Sequence, residues 1–200
     1  MQHLRFYMIT ALIFGVSLPA FSATEVLRFK VLLFGDSVGR LTISKETRAD
    51  GSELYMLDSY SKARILWIVH ENTTHYEVVY KDGKLFSSRF KEIEKGELKR
   101  WNNVSWDGKQ YNVDGYKGKR ILNETPVFSI VSLFFSNTQN VKKLFYEAEA
   151  DFSDVEHLEN NTLEFKSSDG NRNVYHYVNG RANSMEFHVS IASVKMVKIN

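Results

Sequence analysis

Apolar and polar residues alternate with a period of two along most of the chain. The alternation is clearest in four rows, which begin at Leu27, Ile65, Tyr76 and Met185. Successive side chains of a strand point to opposite faces of its sheet, so each row predicts a strand with one apolar face and one wet face. That pattern is typical of an antiparallel sheet covered on a single side.

Glycine beside a polar residue separates these rows. Glycine adopts a positive φ without steric cost, and a short Asp-Gly or Asn-Gly pair between strands therefore predicts a tight hairpin. Turns of this kind are predicted at 35–36, 50–51, 82–83, 95–96, 107–108, 114–115, 169–170 and 179–180, with softer turns at 61–62 and 72–74. Their spacing predicts ten or eleven strands in one antiparallel meander.

Residues 126–136 break the alternation. Thr125 is suited to a helix N-cap and Pro126 to the first helical position. The apolar residues that follow, Val131 and Phe134 among them, have helical spacing with only a thin stripe of serines. A long sheet tends to curl, and a helix this apolar must be buried. We therefore predict a mainly β fold, a half-barrel with a single apolar helix packed on its concave face.

Residues 1–22 have the features of a signal peptide. Arg5 supplies a positive start, an apolar run extends from Phe6 to Leu18, and Pro19 precedes small residues that suit cleavage after Ser22, with Ala23 as the alternative. The apolar run is shorter than the roughly 20 residues needed to cross a membrane. The sequence thus predicts a single β-rich domain, 23–200, that is periplasmic or secreted.

Composition narrows the classes of partner. The chain contains no cysteine, so we expect neither a lipidated cysteine nor disulfides, and an exported chain without disulfides is typical of bacteria. Its 26 basic and 24 acidic residues give a net charge of +2 without a basic cluster. This balance argues against nucleic acid as a partner. We also expect no stable membrane anchor.

One motif suggests a hydrolase. Gly35-Asp36-Ser37 together with Asp154 and His157 resembles the nucleophile block and Asp-x-x-His pair of the GDS-type serine esterases, in which a histidine would activate the serine. That family has a parallel α/β sheet, whereas residues 38–47 alternate as a strand. Gly35-Asp36 is also an ordinary hairpin turn. The esterase is therefore kept as the last of three functional hypotheses, and no catalytic residue is predicted.

The sequence offers little support for a metal site or for acid–base catalysis. His70 and His75 flank a predicted turn but lack a clear third ligand. The pair Glu147 and Glu149 would need apolar surroundings to serve as an acid or base, and the sequence predicts a solvated acidic loop there. We accordingly predict no metal site and no cofactor.

The order of the turn motifs resembles a family of uncharacterised exported bacterial proteins of about this length. The motifs are Phe29-x-Val31 with Gly35 and Gly39, 80–87, Trp106-Asp107-Gly108-x-x-Tyr111, Pro126 with its apolar run, and 169–180. The resemblance covers nearly all of the mature chain, and this family has no established activity. More distantly the layout resembles the half-barrel of periplasmic lipoprotein carriers, whose cavity holds acyl chains. Those carriers have several helices where this sequence predicts one.

The leading hypothesis is a non-catalytic binding or carrier domain for a hydrophobic or lipid-like ligand. It rests on an unusually apolar helix facing an inward row of aromatic residues, since apolar pockets suit such ligands. The alternative is a structural or interaction protein of the cell envelope, with a dry interior and an exposed edge strand that recruits a partner. The predicted pocket residues are Trp67, Phe128, Val131, Phe134 and Phe135.

Overall fold

A computed structural model of the protein describes residues 22–136, 140–189 and 192–199. Its strands form one antiparallel sheet of fourteen, curved but not closed. The first eight pair in chain order and make one meander. They are β1 (Ala23–Leu33), β2 (Asp36–Thr47), β3 (Glu53–Ile65), β4 (Ile68–Lys81), β5 (Lys84–Glu94), β6 (Glu97–Trp106), β7 (Tyr111–Gly115) and β8 (Gly118–Leu122).

The remaining six strands make a second meander, which joins the first through the two ends of the chain. β1 pairs with the last strand, from Arg28 opposite Ile199 to Leu33 opposite Val194. The edges of the sheet are therefore β8 and β9. The strands are β9 (Lys143–Tyr146), β10 (Asp151–Leu158), β11 (Thr162–Lys166), β12 (Arg172–Val178), β13 (Arg181–Val189) and β14 (Ala192–Ile199).

The period-two rows produce the buried face of this sheet. Along β1 the side chains of Leu27, Phe29, Val31 and Leu33 are buried, while those between them are exposed or half-buried. The predicted class, a mainly β chain with a curved antiparallel sheet, is confirmed. The predicted count of ten or eleven strands is wrong. Some strands, such as β9, are short, and the turn at Asn160–Asn161 has no glycine of the kind that marked the other turns.

The pattern of turn residues did not indicate the position of the longest hairpin. The predicted turns at 61–62 and 72–74 lie inside β3 and β4, where Ser61 pairs with Asn72. The strands continue until Ile65 faces Ile68, and the chain reverses at Leu66 and Trp67. Neither residue is a usual turn former, which is why the sequence indicated a continuous strand.

The apolar segment 126–136 packs against the sheet as predicted, but most of it is not helical. α1 spans Ile130–Leu133 only. Residues 126–128 lie outside the helix, and their carbonyls bond to strands: Leu85 donates its N–H to Pro126, and Phe145 donates its N–H to Phe128. The predicted helix over 126–136 is thus wrong in length. The segment 126–136 is hereafter called the plug.

Aromatic contacts hold the plug to the concave face. The ring of Phe134 meets those of Phe29 and Tyr175 edge-on, with centroids 5.5 and 5.9 Å apart. Phe135 packs on Tyr55 at 5.8 Å. Such pairs favour edge-to-face geometry and add to the burial energy of the rings, so the plug and the inner face form one continuous core.

The turn at 147–150 lies near both edges of the sheet. Asn102 of β6 donates its side-chain N–H to the carbonyl oxygens of Glu147 and Ala148, at 3.3 and 2.8 Å. Arg120 of β8 donates from one guanidinium nitrogen to those of Glu149 and Ala150, at 2.7 and 2.9 Å. These bonds tie the first meander to the second across the open side of the sheet.

The predicted signal peptide lies outside the described residues, apart from Ser22. Within the described ranges, no helix has the length and apolar character required to span a membrane.

Candidate functional site

A cleft of about 320 Å³ lies between the concave face of the sheet and the plug. It lies on the inner faces of strands β2–β6, β9 and β12–β14, because the sheet curls around it. The plug contributes Ile130 and Phe134. The remaining apolar lining is mostly aromatic and includes Leu57, Tyr76, Phe90, Tyr146, Tyr175 and Phe187.

The lining changes from apolar to polar along β3 and β4. Leu57 on β3 is followed on the same face by Ser59 and Ser61, and Tyr76 on β4 is preceded by Thr74 and Asn72. The polar end points toward the Leu66–Trp67 turn, because both strands run to that hairpin. The cleft is therefore amphipathic, with an apolar floor against the plug and a polar rim.

An ion pair lies on this rim. Arg100 of β6 donates its Nε–H to a carboxylate oxygen of Glu92 on β5. Asn72 donates its side-chain N–H to the other oxygen at 2.7 Å. Burial opposes the charge on Arg100, but the Glu92 carboxylate outweighs it and raises the pKa of the guanidinium. The rim thus holds a cation whose other N–H groups can serve as donors.

The tyrosines of the floor stay protonated. Burial raises the pKa of Tyr76 and of Tyr175 well above that of a solvated phenol. A protonated phenol can donate a hydrogen bond and adds no charge to the floor. The charge that faces the cleft therefore lies at its rim.

The structure brings together some of the predicted pocket residues. Phe134 lines the cleft. Val131 and Phe135 are buried in the same core, and Phe128 is partly buried against it. Trp67, in contrast, is 80% exposed at the tip of the β3–β4 hairpin. The inward row predicted through Ile65, Trp67 and Val69 ends at that tip, because the chain reverses there.

A buried carboxyl group beneath the plug escaped the sequence analysis. Glu147 and Glu149 were predicted to lie in a solvated loop, and both are buried. One carboxylate oxygen of Glu147 accepts the N–H of Ile130 at 3.2 Å. Burial raises the pKa of Glu147 to about 7, although Ser129 and the nearby backbone N–H groups act in the opposite direction. This group therefore titrates near neutral pH.

The residues of the esterase motif are not brought together. Ser37 lies on β2, and Asp154 and His157 lie on β10, with five strands between them in the sheet order. His157 bonds through Nε2 to the carbonyl oxygen of Val141, at 2.6 Å. A catalytic triad needs its three side chains in mutual hydrogen-bond reach, and this fold separates them.

The histidines considered as metal ligands have other neighbours. His75 bonds to Asp58 through Nδ1, at 2.7 Å, and His70 is exposed on the same strand. Among the residues that the structure describes, no group of three His, Cys, Asp or Glu side chains could hold a metal ion.

Comparison with known proteins gives a family and a fold. The model of the family described as Domain of unknown function (DUF6134) matches residues 29–199. The crystal structure of a beta-barrel-like protein of domain of unknown function DUF1849 from Brucella abortus is similar in fold. It has a TM-score of 0.58 and 14% sequence identity, over 88% of this chain and 95% of that one. No curated protein matches the sequence.

Proposed function

The chain belongs to the DUF6134 family, a domain of unknown function, and we propose that it is a non-catalytic binding or carrier domain for a lipid-like ligand. The observation that carries the proposal is the graded lining of the concave cleft, from the aromatic floor to the rim at Asn72, Glu92 and Arg100. Concave, mostly apolar sites with a few placed polar groups are typical of small-molecule binding. The proposal includes export to the periplasm or beyond.

The size of the cleft limits the ligand. Its volume of about 320 Å³ is at the lower end of the range for small-molecule sites, roughly 300–1,000 Å³. A single acyl chain or a comparably slender apolar body fits this space, whereas a lipid with several chains would need the plug to move. We therefore propose an amphiphile with one apolar chain.

The rim suggests how the other end of that amphiphile is held. Glu92 occupies the Nε–H of Arg100, and a guanidinium has five N–H donors in all. The hydroxyl groups of Ser59 and Ser61 lie on the same wall. A carboxylate or hydroxyl head group could accept hydrogen bonds there while its chain contacts Phe134 and Tyr175.

The rival hypothesis, recruitment of a partner at an exposed edge strand, has less support. The edge strands β8 and β9 contain five and four residues. Short edges are one of the ways by which sheet proteins avoid pairing with other chains. Arg120 also connects β8 to the turn beyond β9, which leaves little free edge for a partner.

The test is native mass spectrometry of the protein taken gently from its own compartment, followed by titration with a fluorescent fatty acid. We expect a bound mass equal to one amphiphile, and saturable binding of the probe. Ser59→Trp should fill the rim and weaken probe binding by at least about tenfold, since it removes the contacts of more than one methylene group. Asp58→Trp, one residue away on the opposite face, is the matched control and should bind normally.

Two results would reject the proposal. One is a protein that carries no lipid on organic extraction and does not bind the probe. The other is equal loss of binding in the Ser59 and Asp58 variants, which would mean that the probe does not occupy the cleft.

A further inference from the structure

Two neighbouring hairpin tips at one end of the sheet expose large apolar side chains. Phe34 at the β1–β2 turn is 73% exposed, and Leu66 and Trp67 at the β3–β4 turn are 76% and 80% exposed. The two hairpins are adjacent because β2 pairs with β3. Leu66 and Trp67 are consecutive and expose one continuous apolar surface, and such a surface marks an interaction site more often than a scattered residue does. Phe34, Leu66 and Trp67 are called the apolar tips below.

The β3–β4 tip projects from the sheet. β2 pairs with β3 only as far as Gly39 opposite Ser61, and β5 pairs with β4 only as far as Glu94 opposite Asn72. Four further pairs, 62–71 to 65–68, continue the hairpin beyond that point. Glu71, in the first of these pairs, accepts the N–H of Lys95 from the β5–β6 turn at 2.9 Å. The last three pairs form a two-stranded ribbon that presents Leu66 and Trp67 at its end.

Backbone conformation makes these residues costly choices for the fold. Phe34 has a φ of 51° and Leu66 a φ of 57°, a region that bulky side chains rarely adopt. Three other tight turns of the chain place Asp82, Lys95 or Asn179 at the corresponding positive φ. The fold could have used such polar residues here as well, so the apolar tips point to a role in binding.

Basic residues lie on the convex face of the strands that lead to the tips. Lys30 and Arg40 lie directly opposite each other on β1 and β2, an arrangement of like charges that destabilises a sheet. Arg64 lies two residues before Leu66 on β3, and all three are exposed. Within the described part of the chain none of the three forms an ion pair. Residues 30–40 and 62–71 together carry four cations against two carboxylates, Asp36 and Glu71.

We propose that the apolar tips dock the protein peripherally on an anionic membrane surface. Tryptophan is favoured at the depth of lipid head groups, and exposed leucine and phenylalanine gain free energy by entering the acyl boundary. The adjacent cations match the negative charge of anionic lipids. Docking does not depend on ligand binding in the cleft, although it would bring the polar rim, four residue pairs from the tip, close to the lipid.

The experiment is flotation of the purified mature protein with vesicles. One set contains an equimolar mixture of phosphatidylcholine and phosphatidylglycerol, and the other contains phosphatidylcholine alone. We expect stronger binding to the anionic vesicles and weaker binding as salt screens the charges. The double variant L66N/W67G converts the tip to an Asn-Gly turn, which suits a tight hairpin. Its vesicle binding should fall by at least about tenfold because two insertion residues are lost.

Controls separate docking from folding and self-association. L66N/W67G should have a thermal midpoint equal to or above that of the unchanged protein, because it relieves the positive φ of leucine. Val178→Asn replaces an exposed apolar residue next to a turn at the opposite end of the sheet and should bind vesicles normally. The proposal is overturned if the unchanged protein floats with neither vesicle, or if L66N/W67G floats equally well. It is also overturned if analytical ultracentrifugation shows a dimer that L66N/W67G abolishes, because the tips would then bind a second copy of the chain.

Discussion

At the scale of single residues, Glu147 shows that a segment with a polar sequence can be buried in an apolar environment. The run Glu147-Ala148-Glu149-Ala150 has the composition of a solvated loop, yet all four residues are buried. Their backbone oxygens are satisfied by side chains from distant strands, Asn102 and Arg120. These partners lie 29 to 46 residues away in sequence, so the local pattern could not indicate the burial.

Burial of Glu147 makes stability depend on pH. Burial raises its pKa in the folded protein to about 7, from an ordinary value of 4.5. Between these values the folded protein retains a proton that the unfolded chain releases, so the free energy of unfolding falls as pH rises. A difference of this size corresponds to about 3 kcal/mol, lost between roughly pH 4.5 and 7. Above the folded pKa this contribution changes no further.

We expect Glu147→Gln to remove this pH dependence. Glutamine retains the shape of the side chain and an oxygen for the N–H of Ile130, but it has no charge to bury. Urea unfolding should show the variant more stable than the unchanged protein at pH 8, with the difference narrowing toward pH 5. Glu159→Gln, in an exposed turn, is the control. A parallel pH profile for the unchanged protein and Glu147→Gln would contradict the prediction.

At the scale of elements, the apolar composition of the plug predicted its burial correctly, whereas its helical spacing predicted a helix that is too long. The apolar character of residues 127–135 correctly indicated burial of Val131, Phe134 and Phe135. Their spacing indicated a long helix, but only Ile130–Leu133 is helical. Hydrogen bonds from β5 and β9 occupy the carbonyls of Pro126 and Phe128, which are then not available to a helix. Tertiary pairing thus overrides a local preference that is weak in so short a segment.

Phe134 should be the most sensitive position of the plug. Its ring is fully buried against Phe29 and Tyr175. Phe134→Ala should lower the free energy of unfolding by about 3–5 kcal/mol, because the ring is lost and a cavity remains. Val127→Ala, on an exposed part of the plug, should change it by no more than about 0.5 kcal/mol. Urea denaturation of both variants tests this; similar small effects would mean that the plug does not hold the core.

Turn chemistry explains which elements the sequence predicted. Turns with Asp-Gly or Asn-Gly, such as 82–83 and 179–180, were found where they were predicted. The β3–β4 hairpin was misplaced because Leu66 and Trp67 lack turn character. The error coincides with the apolar tip for which we propose membrane docking. Where a chain departs from a local sequence rule without a gain in stability, a function is to be expected at that position.

At the scale of the whole molecule, the sequence predicted the class of the sheet but not how its two meanders are joined. Alternation with period two identifies strands and their buried faces, whereas it contains no information on which strands pair. The pairing of β1 with β14 is one such case. The rim on β3 to β6 was missed for another reason, because residues 61–62 and 72–74 were predicted as turns, whereas Ser61 and Asn72 pair within the β3–β4 hairpin. The sequence predicted an apolar cavity against the plug, and Phe134, one of the five residues proposed for it, lines the cleft. The rim of Asn72, Glu92 and Arg100 was not predicted.

The last prediction concerns the open side of the half-barrel, between the edge strands β8 and β9. Arg120 on β8 reaches the carbonyl oxygens of Glu149 and Ala150, so this contact spans the gap between the two edges of the sheet. Hydrogen bonds that involve a charged group contribute roughly 1.5–3 kcal/mol. Arg120→Ala should therefore lower the free energy of unfolding by about 2 kcal/mol. Amide exchange should also become faster in β8 and β9, because these edges would open before the rest of the sheet.

The exposed neighbour Lys119 on the same strand provides the matched control. Lys119→Ala changes the charge of β8 by the same amount, but this side chain makes no such contact with the described residues across the gap. Its effect should stay within about 0.5 kcal/mol. Faster exchange confined to β8 and β9 in the Arg120 variant would show that the two meanders are joined at this side as well as through β1 and β14. If exchange instead rises evenly over all strands, the sheet unfolds as one unit and Arg120 does not act as a local clasp.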